Sequence, residues 1–158
     1  MDWQKVISFW QQRSTHLISN SLSAALSSLS AMRPDLGDKG KVVSWTKKIR
    51  YWIDIAEYDL ETARVMLEGR RFLYVGFMCH QTIEKIFKAY YAKLLSDVPP
   101  ISHSLSYLAK KGSFYELLSE EQKDFIDQIE PLNIEARYPS DKERLLKSLN
   151  FDKCKELI

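Results

Sequence analysis

At 158 residues, 45% apolar and 28% charged, the chain suits one globular domain with its own core, and its five glycines and five prolines favour long helices. A net charge of +2 excludes bulk attraction to a polyanion as its organising property. Two cysteines, Cys79 and Cys154, form neither a disulfide framework nor a zinc site, no apolar run reaches the roughly 18 residues of a membrane span, and the start lacks a signal-peptide pattern.

In chain order, residues 1–40 read as an extension and linker, and residues 41–158 as a helical bundle. Trp3, Val6, Ile7 and Trp10 have the spacing of a short amphipathic helix. A serine-rich stretch follows, in which Ile18, Leu22, Ala25, Leu26, Leu29 and Met32 recur at threes and fours. A helix with a serine back, disorder, and docking only against a partner are all open there. Pro34, Gly37 and Gly40 mark a break.

The next spacing predicts a helix over about 43–68, with Trp45, Ile49, Trp52, Ala56, Leu60, Ala63 and Leu67 as a seam for a neighbouring helix. Ser44 is its expected N-cap and Gly69 its left-handed stop. The short connection then forces an antiparallel hairpin with a central helix, Phe72 to Leu95. Phe72, Gly76, Cys79, Ile83, Ile86, Phe87, Tyr90 and Leu94 form its core face. His80, Gln81, Glu84, Lys85 and Lys88 form a second, polar face. Phe77, Tyr91 and Leu95 share that face, so it is expected to touch something other than water.

The central helix should end before Asp97, Pro99 and Pro100. A short helix through Leu105, Tyr107 and Leu108 stops at Gly112, and Ser119 with Gln122 gives a capping box for the next. There Phe125, Ile129 and Leu132 point inward, and Pro131 bends or ends the helix. Glu135 to Asp141 makes a corner with Tyr138 extended before Pro139, and Asp141 caps a last helix running towards Ile158. The fold class is all-α: an up-and-down bundle of four to five helices.

His16, His80 and His103 sit in separate segments without metal-binding spacing, and the glycines build no phosphate loop. Neither a metal nor a cofactor is expected. What remains is a distributed constellation: His80, Gln81, Lys85, Lys88, His103, Arg137 and Tyr138. Arg137 suits a bidentate phosphate contact, the lysines add point charge, Tyr138 can stack on a base, and a histidine can move a proton near neutral pH. Each has a structural counterpart. His80 and Gln81 can bond across a helix interface, His103 can cap the short helix, Glu84 and Lys88 form a favourable i,i+4 pair, and Arg137 can pair with Glu84 to hold the corner.

Read together, Trp52-Ala56-Asp59-Leu60-Ala63, Cys79-His80-Gln81-Thr82-Ile83-Glu84-Lys85 with Lys88-Ala89, Ser102-His103-Ser104-Leu105, and Ala136-Arg137-Tyr138-Pro139 resemble the HEPN (higher eukaryotes and prokaryotes nucleotide-binding) domain, over about residues 45–155. The resemblance implies a homodimer, nucleotide or RNA as ligand, and often a minimal nucleotidyltransferase partner in a toxin–antitoxin setting. Other members are metal-independent ribonucleases using an Arg and a His with four to six residues between them. Here the positions after Arg137 carry Lys142, Glu143 and Arg144. The expected function is therefore a non-catalytic binding module in the cytoplasm, of the branch carrying Arg-Tyr-Pro. The alternatives are a ribonuclease with an atypical pair, Arg137 with His80 or His103, and a structural adaptor.

Overall fold

The computed structural model describes residues 39–158 apart from Pro139 and Asp141, with side chains from residue 47 onward except that of Lys142. The described residues form helices and connecting turns without a strand. Helix α1 spans Lys39–Glu68 and α2 spans Phe72–Leu95. Together they make the antiparallel hairpin that the three-residue connection requires. Shorter pieces cover α2: α3 (Leu105–Lys111), a 3₁₀ turn (Tyr115–Leu117), α4 (Glu120–Ile129), α5 (Leu132–Glu135), α6 (Lys142–Ser148) and α7 (Phe151–Leu157). The fold is an all-helical bundle with α2 at its centre. The readings of residues 1–38 and of Asp141 lie outside the described residues.

The α1 seam buries Ile49, Ile53, Ala56, Leu60 and Ala63. Ile49, Ile53 and partly buried Trp52 meet Ala89 and Ala92 of α2. These alanines let the two backbones approach closely. The main core runs from Val75, Cys79, Ile83, Phe87 and Tyr90 into Leu105, Leu108, Ile126, Ile129, Leu132 and Leu149. Phe114 stands edge-on to Phe87 and Tyr90, with centroids 5.1 and 4.8 Å away, a favoured aromatic arrangement. Gly76 keeps the α2–α5 contact tight, since a Cβ there would lie 2.9 Å from Leu132 Cδ1. Burial pushes the Cys79 thiol up to about 12 and the Cys154 thiol to about 11, so both free cysteines stay protonated within the fold.

Several boundaries differ from the sequence expectation. Helix α1 begins at Lys39, which places Ser44 inside the helix rather than at its N-cap. Gly69 is not the left-handed stop: Arg70 takes φ 54°. The reason is a two-bond C-terminal closure, Arg70 N–H to Leu67 C=O at 3.0 Å and Arg71 N–H to Met66 C=O at 2.8 Å, which sets the left-handed residue one place beyond the cap. The same closure ends α3, with Ser113 at φ 58° and Phe114 N–H bonded to Ala109 C=O. Gly112 is needed for space, because a Cβ there would collide with the Phe114 ring. The final helix is two helices, divided where the Asn150 side chain accepts from Lys153 N–H and caps α7. On α4, Ile126 is buried while Phe125 packs at the edge of the core. The Ser119–Gln122 capping box forms as expected.

Candidate functional site

The polar face of α2 is largely interior. His80 and Glu84 are fully buried, and Lys88 nearly so. A carboxylate removed from water must be paired, and Glu84 is paired on every side. Its Oε1 accepts from Lys88 Nζ at 2.7 Å, with Lys85 Nζ 3.7 Å away. Its Oε2 meets His103 Nδ1 at 2.8 Å. Burial alone would raise the Glu84 carboxyl, but the bonds from Lys88 and His103 outweigh it and hold the group below its ordinary value. Because an ionised carboxylate only accepts, His103 must donate from Nδ1, which leaves Nε2 as its second site. The His103 side chain is 64% exposed and covers this hub from the solvent side. Lys88 also lies over the Trp52 ring, 5.2 Å from its centroid. Glu84 thus fastens α1, α2 and the loop before α3 together.

His80 sits beside the hub, and among the described residues neither of its ring nitrogens has a hydrogen-bond partner. Burial lowers its pKa to about 4, against the opposing fields of Glu84 and Glu130 and the nearby His103 backbone. The ring is neutral at pH 7. Glu130 in turn holds the start of α3. It accepts from Ser104 Oγ at 2.6 Å, from Ser106 N–H at 3.1 Å, and from Ser106 Oγ. Burial would raise Glu130, but these bonds hold it below its ordinary value. The cap of α3 is Ser104, bonded to Tyr107 N–H, rather than His103.

A second line of polar groups leads outward. Lys85 Nζ donates to Gln81 Oε1 at 2.5 Å and stands 3.9 Å from Asp59 Oδ2 on α1. Burial raises Asp59, with Lys85 opposing. Gln81 Nε2 donates to Asn133 Oδ1 at 3.3 Å, an atom Arg137 Nη2 also reaches at 3.4 Å. Arg137 Nε donates to the Asn133 carbonyl at 2.7 Å. The guanidinium lies over two rings, Phe77 at 5.0 Å and Tyr138 at 5.7 Å. Arg137 is exposed and Tyr138 is 74% exposed.

The seven residues singled out from the sequence therefore fall into two groups. His80, Lys88 and His103 gather at Glu84. Gln81, Arg137 and Tyr138 gather at the corner after α5, with Lys85 between the two. The expected Arg137–Glu84 pair is absent: the Glu84 oxygens are taken by Lys88 and His103, and Arg137 is braced by Asn133. Sequence reasoning missed Asn133, whose spacing of four from Arg137 was the available signal, and Glu130 with Ser104 and Ser106, which no local spacing connects. Among the described residues no cluster of His, Cys, Asp or Glu is arranged to hold a metal ion, and no helix is long and apolar enough to cross a membrane.

Comparison with curated proteins and with solved structures returned no match. Residues 49–158 match the HEPN domain, a span that covers α2 through α7 and the part of α1 that packs against them. The chain belongs to the HEPN domain family, a family of nucleotide-binding and ribonuclease-type domains.

Proposed function

We propose that this HEPN domain binds a nucleotide or an RNA phosphate without cleaving it, as a homodimer, beside a minimal nucleotidyltransferase partner in a toxin–antitoxin-like arrangement. The observation that carries the reading is the Arg137 corner. Its guanidinium is fixed in orientation by Asn133 along one edge and by Phe77 and Tyr138 on its faces. The side chain is exposed, and a guanidinium held in one orientation suits a phosphate. Tyr138 adds an exposed ring for a base. The non-catalytic part rests on the histidines: His80 is buried and neutral, and no histidine follows Arg137 at the ribonuclease spacing. Titration of purified full-length protein with ATP, GTP and a short single-stranded RNA tests the reading, together with mass spectrometry of what copurifies. Binding of at least one ligand that is lost in Arg137→Ala is the expected result. No binding and no copurifying nucleotidyltransferase would overturn it.

One observation favours a second reading. Glu84 orients His103 through Nδ1 and leaves Nε2 as the second site of a side chain that is 64% exposed, the relation of a carboxylate to a general base. A metal-independent ribonuclease would use His103 to move the proton and Arg137 to stabilise charge on phosphorus. That reading needs the two to meet on one substrate, whereas the contacts of Arg137 are with Asn133, Phe77 and Tyr138.

A further inference from the structure

Helix α1 is apolar on two opposite sides. Its inner seam is buried against α2. On the outer side, Tyr51, Ile55, Tyr58, Thr62 and Val65 follow alternating steps of four and three, within about 80° of arc and facing away from the seam. Tyr51, Tyr58 and Val65 are 59%, 75% and 64% exposed. This alternation is that of a helix-on-helix contact, and a helix with apolar residues on both sides is normally covered on both. One edge of the stripe carries Asp54, Glu57, Glu61 and Glu68, with Arg50 and Arg64 among them.

We infer that the outer stripe of α1 is the docking surface for this chain's own residues 1–38. The segment joins α1 at Lys39, the end from which the stripe can be followed along the helix. From Lys39 to Val65 is about 40 Å at the helical rise of about 1.5 Å per residue, a length that a helical return from the Pro34–Gly37 break covers. Ile18, Leu22, Ala25, Leu29 and Met32 repeat the four–three alternation of the stripe, and Trp3, Val6, Ile7 and Trp10 continue at helical spacing. An antiparallel return sets Val6 against Val65, and Arg13 against Tyr58 and the carboxylates flanking it. Charge selects this occupant. Lys5 and Arg13 against Asp2, in the part of the segment that reaches the acidic edge, complement it, while Arg33, Asp35 and Asp38 lie at the break beside Lys39. A second copy crossing antiparallel about a two-fold axis would set that edge against itself, and like charges across an interface are unfavourable.

Limited trypsin digestion of the full chain, with cleavage after Arg13 followed by mass spectrometry, tests the inference against Tyr58→Gln and Val65→Gln, which remove apolar surface without adding a charge or a cleavage site. Both side chains are exposed in the bundle, so each variant should keep a cooperative thermal transition, lowered by no more than the lost docking contributes. Slow cleavage after Arg13 in the original protein and about tenfold faster cleavage in both variants is expected, as a 1.4 kcal/mol loss of docking would give. The solution mass should not change. Equal cleavage rates would overturn the inference. So would a fall from dimer to monomer in either variant, which would assign the stripe to a second copy while leaving the proposed ligand binding untouched.

Discussion

The Glu84 hub and the Arg137 corner are neighbouring polar clusters, linked through Lys85 and Gln81, with opposite relations to solvent. At the hub, Lys88 and His103 spend their donors on a carboxylate that has 1% of its side-chain surface exposed. At the corner, Arg137 is braced by its own turn and faces outward. The difference follows from what stands over each group. Trp52 of α1 and the loop before α3 close over the hub, whereas among the described residues Arg137 meets the Phe77 and Tyr138 rings and Asn133. A lysine already neutralised by a buried partner is a poor phosphate ligand, because a phosphate must first displace that partner. An arginine held by a neutral asparagine keeps its full charge for a ligand.

The comparison breaks first at Glu84. Glu84→Ala strips Lys88 of its partner inside the bundle, and removing one member of a buried pair costs about 3–5 kcal/mol. Urea unfolding should show that loss or no folded protein at all. A change within about 0.5 kcal/mol, the range of an ordinary surface site, would mean the hub does not hold the helices.

The next test is acid. His80 titrates at about 4 in the fold and at about 6.5 in an unfolded chain. Between these values the unfolded chain binds a proton that the folded one refuses, so stability falls as pH drops from about 6.5 to about 4 and is flat above. The full drop is about 3 kcal/mol as an upper figure. Glu84 and Glu130, both held below their ordinary values, act in the same direction lower down: their contribution is present above about 4.5 and is lost as pH falls through their folded pKa. His80→Leu should flatten the upper limb and leave the lower one. An unchanged profile would place His80 in water.

At the corner the effects move from stability to binding. Arg137→Ala should change the unfolding free energy by about 1 kcal/mol, the scale of exposed ring contacts and hydrogen bonds, while weakening RNA or nucleotide binding at least tenfold, or about 1.4 kcal/mol. The reverse pattern, lost stability with intact binding, would make the corner structural and favour the adaptor reading. Tyr138→Ala is the smallest expected change, about 1 kcal/mol of stacking, and should affect RNA more than free phosphate.

Much of the hairpin was legible in the sequence. The α1 seam and the core face of α2 are periodic, and the Ser119–Gln122 box is a local pattern that forms as written. The helix ends were less so, because a left-handed residue after a two-bond closure sits beyond the glycine rather than on it, as at Arg70 and Ser113. The polar constellation was legible as a set of residues and not as an arrangement. His80, Gln81, Lys85 and Lys88 lie close together on the wheel of α2. Only packing decides that Glu84 gathers His103 from a loop 19 residues on, or that Arg137 turns to Asn133 instead. The bracing of α3 by Glu130 depends on residues 24 to 26 apart, which periodicity does not relate.

The most direct measurement incubates the full chain with single-stranded RNA in the presence of a chelator, recording binding and cleavage together for the original protein, Arg137→Ala and His103→Ala. The account predicts intact RNA throughout. Binding should fall at least tenfold in Arg137→Ala, about 1.4 kcal/mol, and change little in His103→Ala. Cleavage by the original protein that disappears in both variants would contradict it and make Glu84, His103 and Arg137 parts of one catalytic site.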